Sequence, residues 1–374
     1  MYMETRKEPK MYNRNIIFGL FIPLIFIGKI VRYTLMKSIL VDVGIGHDWI
    51  SKILYDTLKF SLFSSESVTE TRGNAVTFYQ RINFFNIDSY VNWEIYISII
   101  FNILMLFVLL KVKKKLNFMQ FLFICLSIIV LNIFDFCLAK EPVQMLYFLF
   151  IFIVLINKKI NVKLKYVLSV LIIIFSAATL RNYYILMAFF MVISTIIINI
   201  IILKKDKIKM KDIILILLIL GFCFYLILKT AQIISPDDYN ELIRVRNRTS
   251  SANTDIRNWI KSSNLIIFSL NYLITIIRLV FPVELITLGP KYIPYVLYQI
   301  FISYFLICNL KNIKRNNKIK NIVLYIYCGF LLGSVTFEPD FGSWVRHEAI
   351  LFPLLLLNCD AIKIKEKNGE KNEI

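Results

Sequence analysis

The sequence predicts an all-α polytopic integral membrane protein with about 10–11 transmembrane helices. Three observations carry that reading. Hydrophobic residues fill 58% of the 374 positions, and mean hydropathy is +0.66. Apolar runs long enough to cross a hydrocarbon core recur along the whole sequence. Lysines collect in short tracts between those runs, at 111–115, 158–165, 204–211, 311–320 and 363–371, and no polar stretch is long enough to fold as a separate domain. Residues 1–374 therefore read as a single transmembrane domain.

Taken in order, the spans fall at roughly 15–36, 93–110, 118–138, 143–157, 166–180, 184–203, 213–233, 264–281, 291–309, 321–337 and 348–360. The first begins near Ile16, has no small-residue cleavage site and ends at Lys29–Arg32, so it reads as a retained helix. The positive-inside rule makes the lysine tracts cytoplasmic, together with Arg6, Lys7, Lys10 and Arg14. Alternation then puts 37–92, 140–141, 181–182, 235–262 and 338–347 outside. Counting from the two ends gives answers that differ by one crossing over 264–309. A re-entrant or interfacial segment is expected there, around Arg278–Pro290, where Arg278, Pro282, Glu284, Gly289 and Pro290 interrupt the apolar pattern.

The net charge of +19 belongs to these tracts and is no nucleic-acid footprint. All six cysteines (125, 137, 223, 308, 328 and 359) lie within or at the ends of apolar runs without metal-ligand spacing, so they read as small apolar fillers.

The densest chemistry lies in 337–348, Phe-Glu-Pro-Asp-Phe-Gly-Ser-Trp-Val-Arg-His-Glu. Glu338, Asp340, Arg346, His347 and Glu348 crowd between two apolar runs. Ionisable groups at membrane depth are costly, and a short loop needs only one or two charges to stop a helix. The other unusual polar elements also fall outside: Asp48 after the first span, Lys140-Glu141-Pro142, Arg181 before Tyr183-Tyr184, and Arg244, Arg246 and Arg248. Each has a plainer reading. Glu141 and Lys140 make a local ion pair, Arg181 an interfacial anchor, and the three arginines a solvated loop balanced by nearby acids. No nucleotide-binding glycine loop and no cytoplasmic catalytic domain are present. A reaction at the outer face would draw on lipid-borne substrates, and a lipid diphosphate is the anion that arginine forks hold best.

Glu338-Pro-Asp-Phe-Gly-Ser-Trp-Val-Arg346-His347 resembles the C-terminal outer-loop motif of capsular polysaccharide repeat-unit polymerases of the Wzy type. Gly46-His-Asp48, followed by Tyr55, is similar to the Gly-x-Asp and Tyr pattern of the related EpsG family, and Leu180-Arg181-Asn-Tyr-Tyr184 to a third pattern there. The resemblance implies a GT-C-like architecture with long outer loops. It also implies transfer of a glycan from polyprenyl diphosphate onto a newly flipped lipid-linked repeat unit, with inversion. Arg346, Arg246 and Arg181, in that order, would stabilise the leaving diphosphate, with Arg244, Arg248 and Glu141 in substrate binding. The general base is Asp48, Glu338 or His347. No cofactor is required, and a divalent ion bridging the diphosphate and Asp340 stays open. A flippase and a chain-length regulator are the expected partners. A lipid-linked oligosaccharide flippase and a glycan ligase are the rival readings.

Overall fold

A computed structural model describes residues 11–35, 70–87, 89–180, 184–204, helical positions within 211–222, 256, 258–260, 265–289, 292–313, 318–337 and 340–362. Those residues are mostly helical. A three-residue strand, β1 (Met11–Asn13), leads into α1 (Arg14–Ile30), which a π-helical turn extends over Val31–Leu35. Then come α2 (Glu70–Ile82), α3 (Tyr90–Leu109), strand β2 (Lys115–Asn117), α4 (Phe118–Phe134), α5 (Lys140–Ile156), α6 (Val162–Thr179) and α7 (Tyr184–Lys204). After α8 (Leu265–Val280) a 3₁₀ turn covers Val283–Leu288, followed by α9 (Ile293–Lys311), α10 (Lys318–Phe337), α11 (Phe341–Ala349) and α12 (Phe352–Asn358). Among the described residues six helices are long and apolar enough to cross a membrane, and α4 and part of α8 are shorter apolar helices. The protein is a multi-pass helical membrane protein.

Contacts sort the helix ends into two groups. One end is basic. There β1 pairs antiparallel with β2, and the Arg14 guanidinium donates to the carbonyls of Leu110 and Val112, both at 2.8 Å. At the same end Lys113 N–H donates to Ala361 O at 2.8 Å, and Lys320 pairs with Asp360 at 2.5 Å. Asn117 caps α4 in a reciprocal capping box with Gln120, whose amide also reaches Cys359 O at 2.8 Å. The lysine tracts at 111–115 and 318–320 thus share one end, as a single charge bias demands.

The other end collects the opposite termini of α1, α3, α4 and α5, together with α11. Arg32 reaches Glu94 of α3, with Nη2 at 2.6 Å from Oε1, and donates from Nη1 to Ile133 O at 2.9 Å. Lys29 Nζ donates to Phe136 O at 2.7 Å. Arg32 therefore satisfies a carbonyl that α4 leaves open at its C-terminus and Lys29 one just beyond it, at the end where the helix dipole favours positive charge.

Helices α7 and α10 pack with almost no gap. A side chain at Gly329 would strike the Met187 carbonyl and come within 2.9 Å of Met191 N, and one at Gly333 would meet Met187 Cγ at 2.8 Å. Small residues spaced one turn apart let the two backbones close up, the usual solution where lipid gives helices no hydrophobic reason to associate.

Three expectations change. Lys140–Pro142 is the first turn of α5, with Pro142 placed where its missing N–H does no harm. The stretch 338–347, expected as a loop, is helical from Phe341 onward, because the Asp340 carboxylate accepts Ser343 N–H at 2.7 Å and starts α11. The span expected at 348–360 is broken at Ile350–Leu351, and Pro353 begins α12 afresh. Both pieces are buried apart from Ser343, and the break itself is buried, so no lipid-exposed backbone results from it.

The interruption expected at Arg278–Pro290 is where the backbone breaks. Tyr272 OH donates to Leu332 O at 3.0 Å, near the site end of α10, and Ser303 Oγ donates to Val280 O at 2.6 Å. Ser303 lies about 15 Å along α9 from its start, so α8 stops beside the middle of α9. The 3₁₀ turn and Gly289, at φ +136°, carry the chain back to the start of α9. Arg278 holds this turn by clasping Glu284 at 2.8 Å.

Candidate functional site

Glu141 stands at the start of α5, and α11 crosses its side chain. Its Oε1 lies 3.2 Å from Arg346 Nε and 3.2 Å from His347 Nε2, and all three residues are buried. Consecutive residues of a helix diverge by about 100°, so only a group set between two of them can meet both. Arg346 Nε does not point along the line to the oxygen, and the contact is an ion pair without hydrogen-bond geometry.

The opposite face of α11 carries a second network. Trp344 Nε1 donates to Gln299 Oε1 at 3.2 Å, and Gln299 Nε2 donates to Glu348 Oε1 at 3.2 Å. Tyr327 OH donates to that same oxygen, while Glu348 Oε2 has no hydrogen-bond partner. Trp344 and Glu348 stand one turn apart, so α9 and α10 grip α11 by one face while α5 takes the other. Arg346 and His347 are held from both sides, the kind of support that fixes a reactive geometry.

Asp135, directly after α4, is fully buried and neither of its oxygens is hydrogen-bonded. Glu141, Arg346 and Arg32 lie within electrostatic reach of it. Gln144 follows Glu141 by one helical turn, is 1% exposed, and has neither amide atom bonded.

Of the residues expected to form the site, Glu141, Arg346 and His347 come together here, and Glu141 pairs with these two across the fold. Asp340 is 4% exposed and serves as the N-cap of α11. Asp48, Arg181, Arg244, Arg246, Arg248 and Glu338 lie outside the described residues. Among the described residues no group of three His, Cys, Asp or Glu could hold a metal ion. Asp135, Gln144, Gln299 and Tyr327 were missed by sequence reasoning. Asp135 had a signal, since an acid inside the apolar run 118–138 is by default functional. Gln144, Gln299 and Tyr327 had none.

The described cluster sets Asp135, Glu141 and Glu348 against Arg346 and His347. It can pass a proton between carboxylate and imidazole, and it can present a guanidinium to an anion. It lacks the positive charge to hold a diphosphate by itself.

These features define a multi-pass helical membrane protein with a buried, ionisable site where its helices end. No family model, curated protein or solved structure matches the chain.

Proposed function

We propose that this protein is a membrane glycosyltransferase, a polysaccharide repeat-unit polymerase. It would transfer a polyprenyl-diphosphate-linked glycan onto a lipid-linked repeat unit at the outer face of the cytoplasmic membrane. The observation that carries the reading is the meeting of Arg346 and His347 on one buried oxygen of Glu141. An acid, an imidazole and a guanidinium packed where helices end suit a displacement that needs one proton removed and one anion stabilised.

In the reaction, an acceptor hydroxyl oxygen attacks the anomeric carbon of the donor glycan as the bond from that carbon to the diphosphate oxygen breaks. The hydroxyl proton goes to the Glu141–His347 pair, and the electrons of the broken bond leave with the diphosphate. Arg346 meets the departing anion with the N–H groups it does not turn toward Glu141. The charge still missing comes from Arg181, Arg244, Arg246 and Arg248. A single displacement with no covalent intermediate inverts the anomeric centre. Asp340 positions the site by starting α11.

Purified protein in liposomes, given lipid-linked repeat units, should produce a ladder of chain lengths that Glu141→Gln abolishes. Glycan moved onto an acceptor that is not lipid-linked would indicate a ligase. Repeat units that cross the bilayer with no new glycosidic bond would indicate a flippase.

A further inference from the structure

Asp135 and Gln144 flank the Glu141–Arg346–His347 cluster, and the fold leaves the working ends of both without partners. A buried carboxylate with two empty oxygens is among the more costly things a protein can hold, and so is a buried primary amide with neither atom bonded. Two such groups beside one site ask for the same explanation: something else satisfies them.

The chemistry of that something follows from what the two side chains lack. The carboxylate wants donors. The amide wants a donor on its oxygen and an acceptor at its nitrogen. An anion would be repelled by Asp135, which rules out the diphosphate here. A metal cation would find Asp135 with Arg346 and Arg32 already in electrostatic reach, and no group of three His, Cys, Asp or Glu among the described residues to hold it. Neighbouring hydroxyls on a saturated ring both donate and accept, and they fit the whole set.

We infer that Asp135 and Gln144 form a hydroxyl-binding subsite that holds the acceptor sugar beside Glu141 and His347, an assignment that rests on the glycosyltransferase reading. Their placement suits the role. Asp135 follows directly from α4, Gln144 is one turn along α5 from Glu141, and α11 crosses at the same level. A sugar bonded to both would have its ring against the pair that takes its proton. The polar atoms are closed off in this conformation, so admission of a sugar requires a shift of side chains or helix ends. A site that hydrogen-bonds substrate hydroxyls discriminates strongly against sugars that lack them, because its own buried polar groups then go unpaired. The subsite would therefore set acceptor specificity.

The test uses the full chain purified in detergent and two probes. One is polyprenyl diphosphate without sugar. The other is free glycan, released by mild acid from lipid-linked repeat units of cells lacking this protein. Wild type should be protected against thermal unfolding by each probe separately. Asp135→Asn and Gln144→Leu should keep the response to polyprenyl diphosphate and bind the glycan about tenfold more weakly or worse.

Unchanged glycan binding in both variants would mean that the two side chains hold only water, and would overturn the subsite. So would a wild type protected by polyprenyl diphosphate but not by glycan, while leaving the polymerase reading in place. Glycan protection lost in the variants, with no response of any form to polyprenyl diphosphate, supports the subsite and sinks the polymerase. If Asp135→Asn fails to accumulate, Gln144→Leu decides alone, since it removes buried unpaired atoms and should fold at least as well as wild type.

Discussion

Asn102 of α3 and Asn132 of α4 exchange their side-chain amides, the Nδ2 of each donating to the Oδ1 of the other at 2.9 and 3.0 Å. Both are buried, and each amide also donates to a carbonyl one turn back in its own helix. Asn102→Leu should therefore destabilise the fold by roughly 1–3 kcal/mol, because it leaves the Asn132 amide partly unpaired. The double Leu variant should lose less than the two single losses together. Unfolding midpoints of the four forms in detergent measure the coupling, and simple additivity would show that the amides act independently.

Gly329→Val should loosen the contact of α7 with α10. The added atoms meet the Met187 carbonyl and Met191 backbone, which cannot swing aside as a side chain can. Overpacking of this kind costs about 1–3 kcal/mol. The midpoint of unfolding should fall accordingly, whereas a midpoint equal to wild type would mean that the helices are further apart than described.

Glu141→Gln and Glu141→Ala should separate stability from activity. The amide also removes the counter-charge of Arg346, but it keeps the shape and a hydrogen bond to His347, so the protein should lose less stability than with alanine while elongation stops. Alanine leaves Arg346 buried without its counter-charge, a loss of about 3–5 kcal/mol. Protein level and glycan chain length, measured together in both strains, check this. Normal ladders in the Gln variant would exclude a charge role for Glu141.

Arg346→Lys should not restore elongation lost in Arg346→Ala. A lysine ammonium is a compact point charge, and it cannot offer one face to Glu141 and another to a departing anion. Chain length in a strain carrying each variant gives the answer, and a wild-type ladder from the lysine form would remove the clamp role.

Phe84, 77% exposed beyond α2, and Lys159, between α5 and α6, should lie on opposite sides of the membrane. In a background without other cysteines, Phe84→Cys should react with an impermeant maleimide in intact cells. Lys159→Cys should react only after permeabilisation. The reverse result would place the site on the cytoplasmic side and end the proposed reaction.

Much of this was legible in the residues themselves. Apolar run length gave the helices at 14–30, 90–109 and 293–311 within a few positions, because lipid imposes one length and one composition. The lysine tracts foretold which ends lie together. Arg346 and His347 stood out because charges there need a reason. What stayed hidden was contact across the fold. Nothing near Glu141 in sequence indicates that its partners are Arg346 and His347 rather than Lys140. Gln299 and Tyr327 are ordinary residues until α11 lies between them. The break at Ile350–Leu351 was missed because hydropathy averages over a Pro353 that backbone geometry cannot ignore.

Glu141 and His347 are 206 positions apart in the chain. At the usual 5–20 residues per second, a ribosome needs about 10 to 40 s to go from one to the other. During that time the start of α5 is already at the membrane, and its carboxyl has neither of its partners from α11. It must stay in contact with water, or carry a proton, until α11 is made. The site is thus assembled late and as a whole, and among the described ion pairs its acid is the one that waits longest.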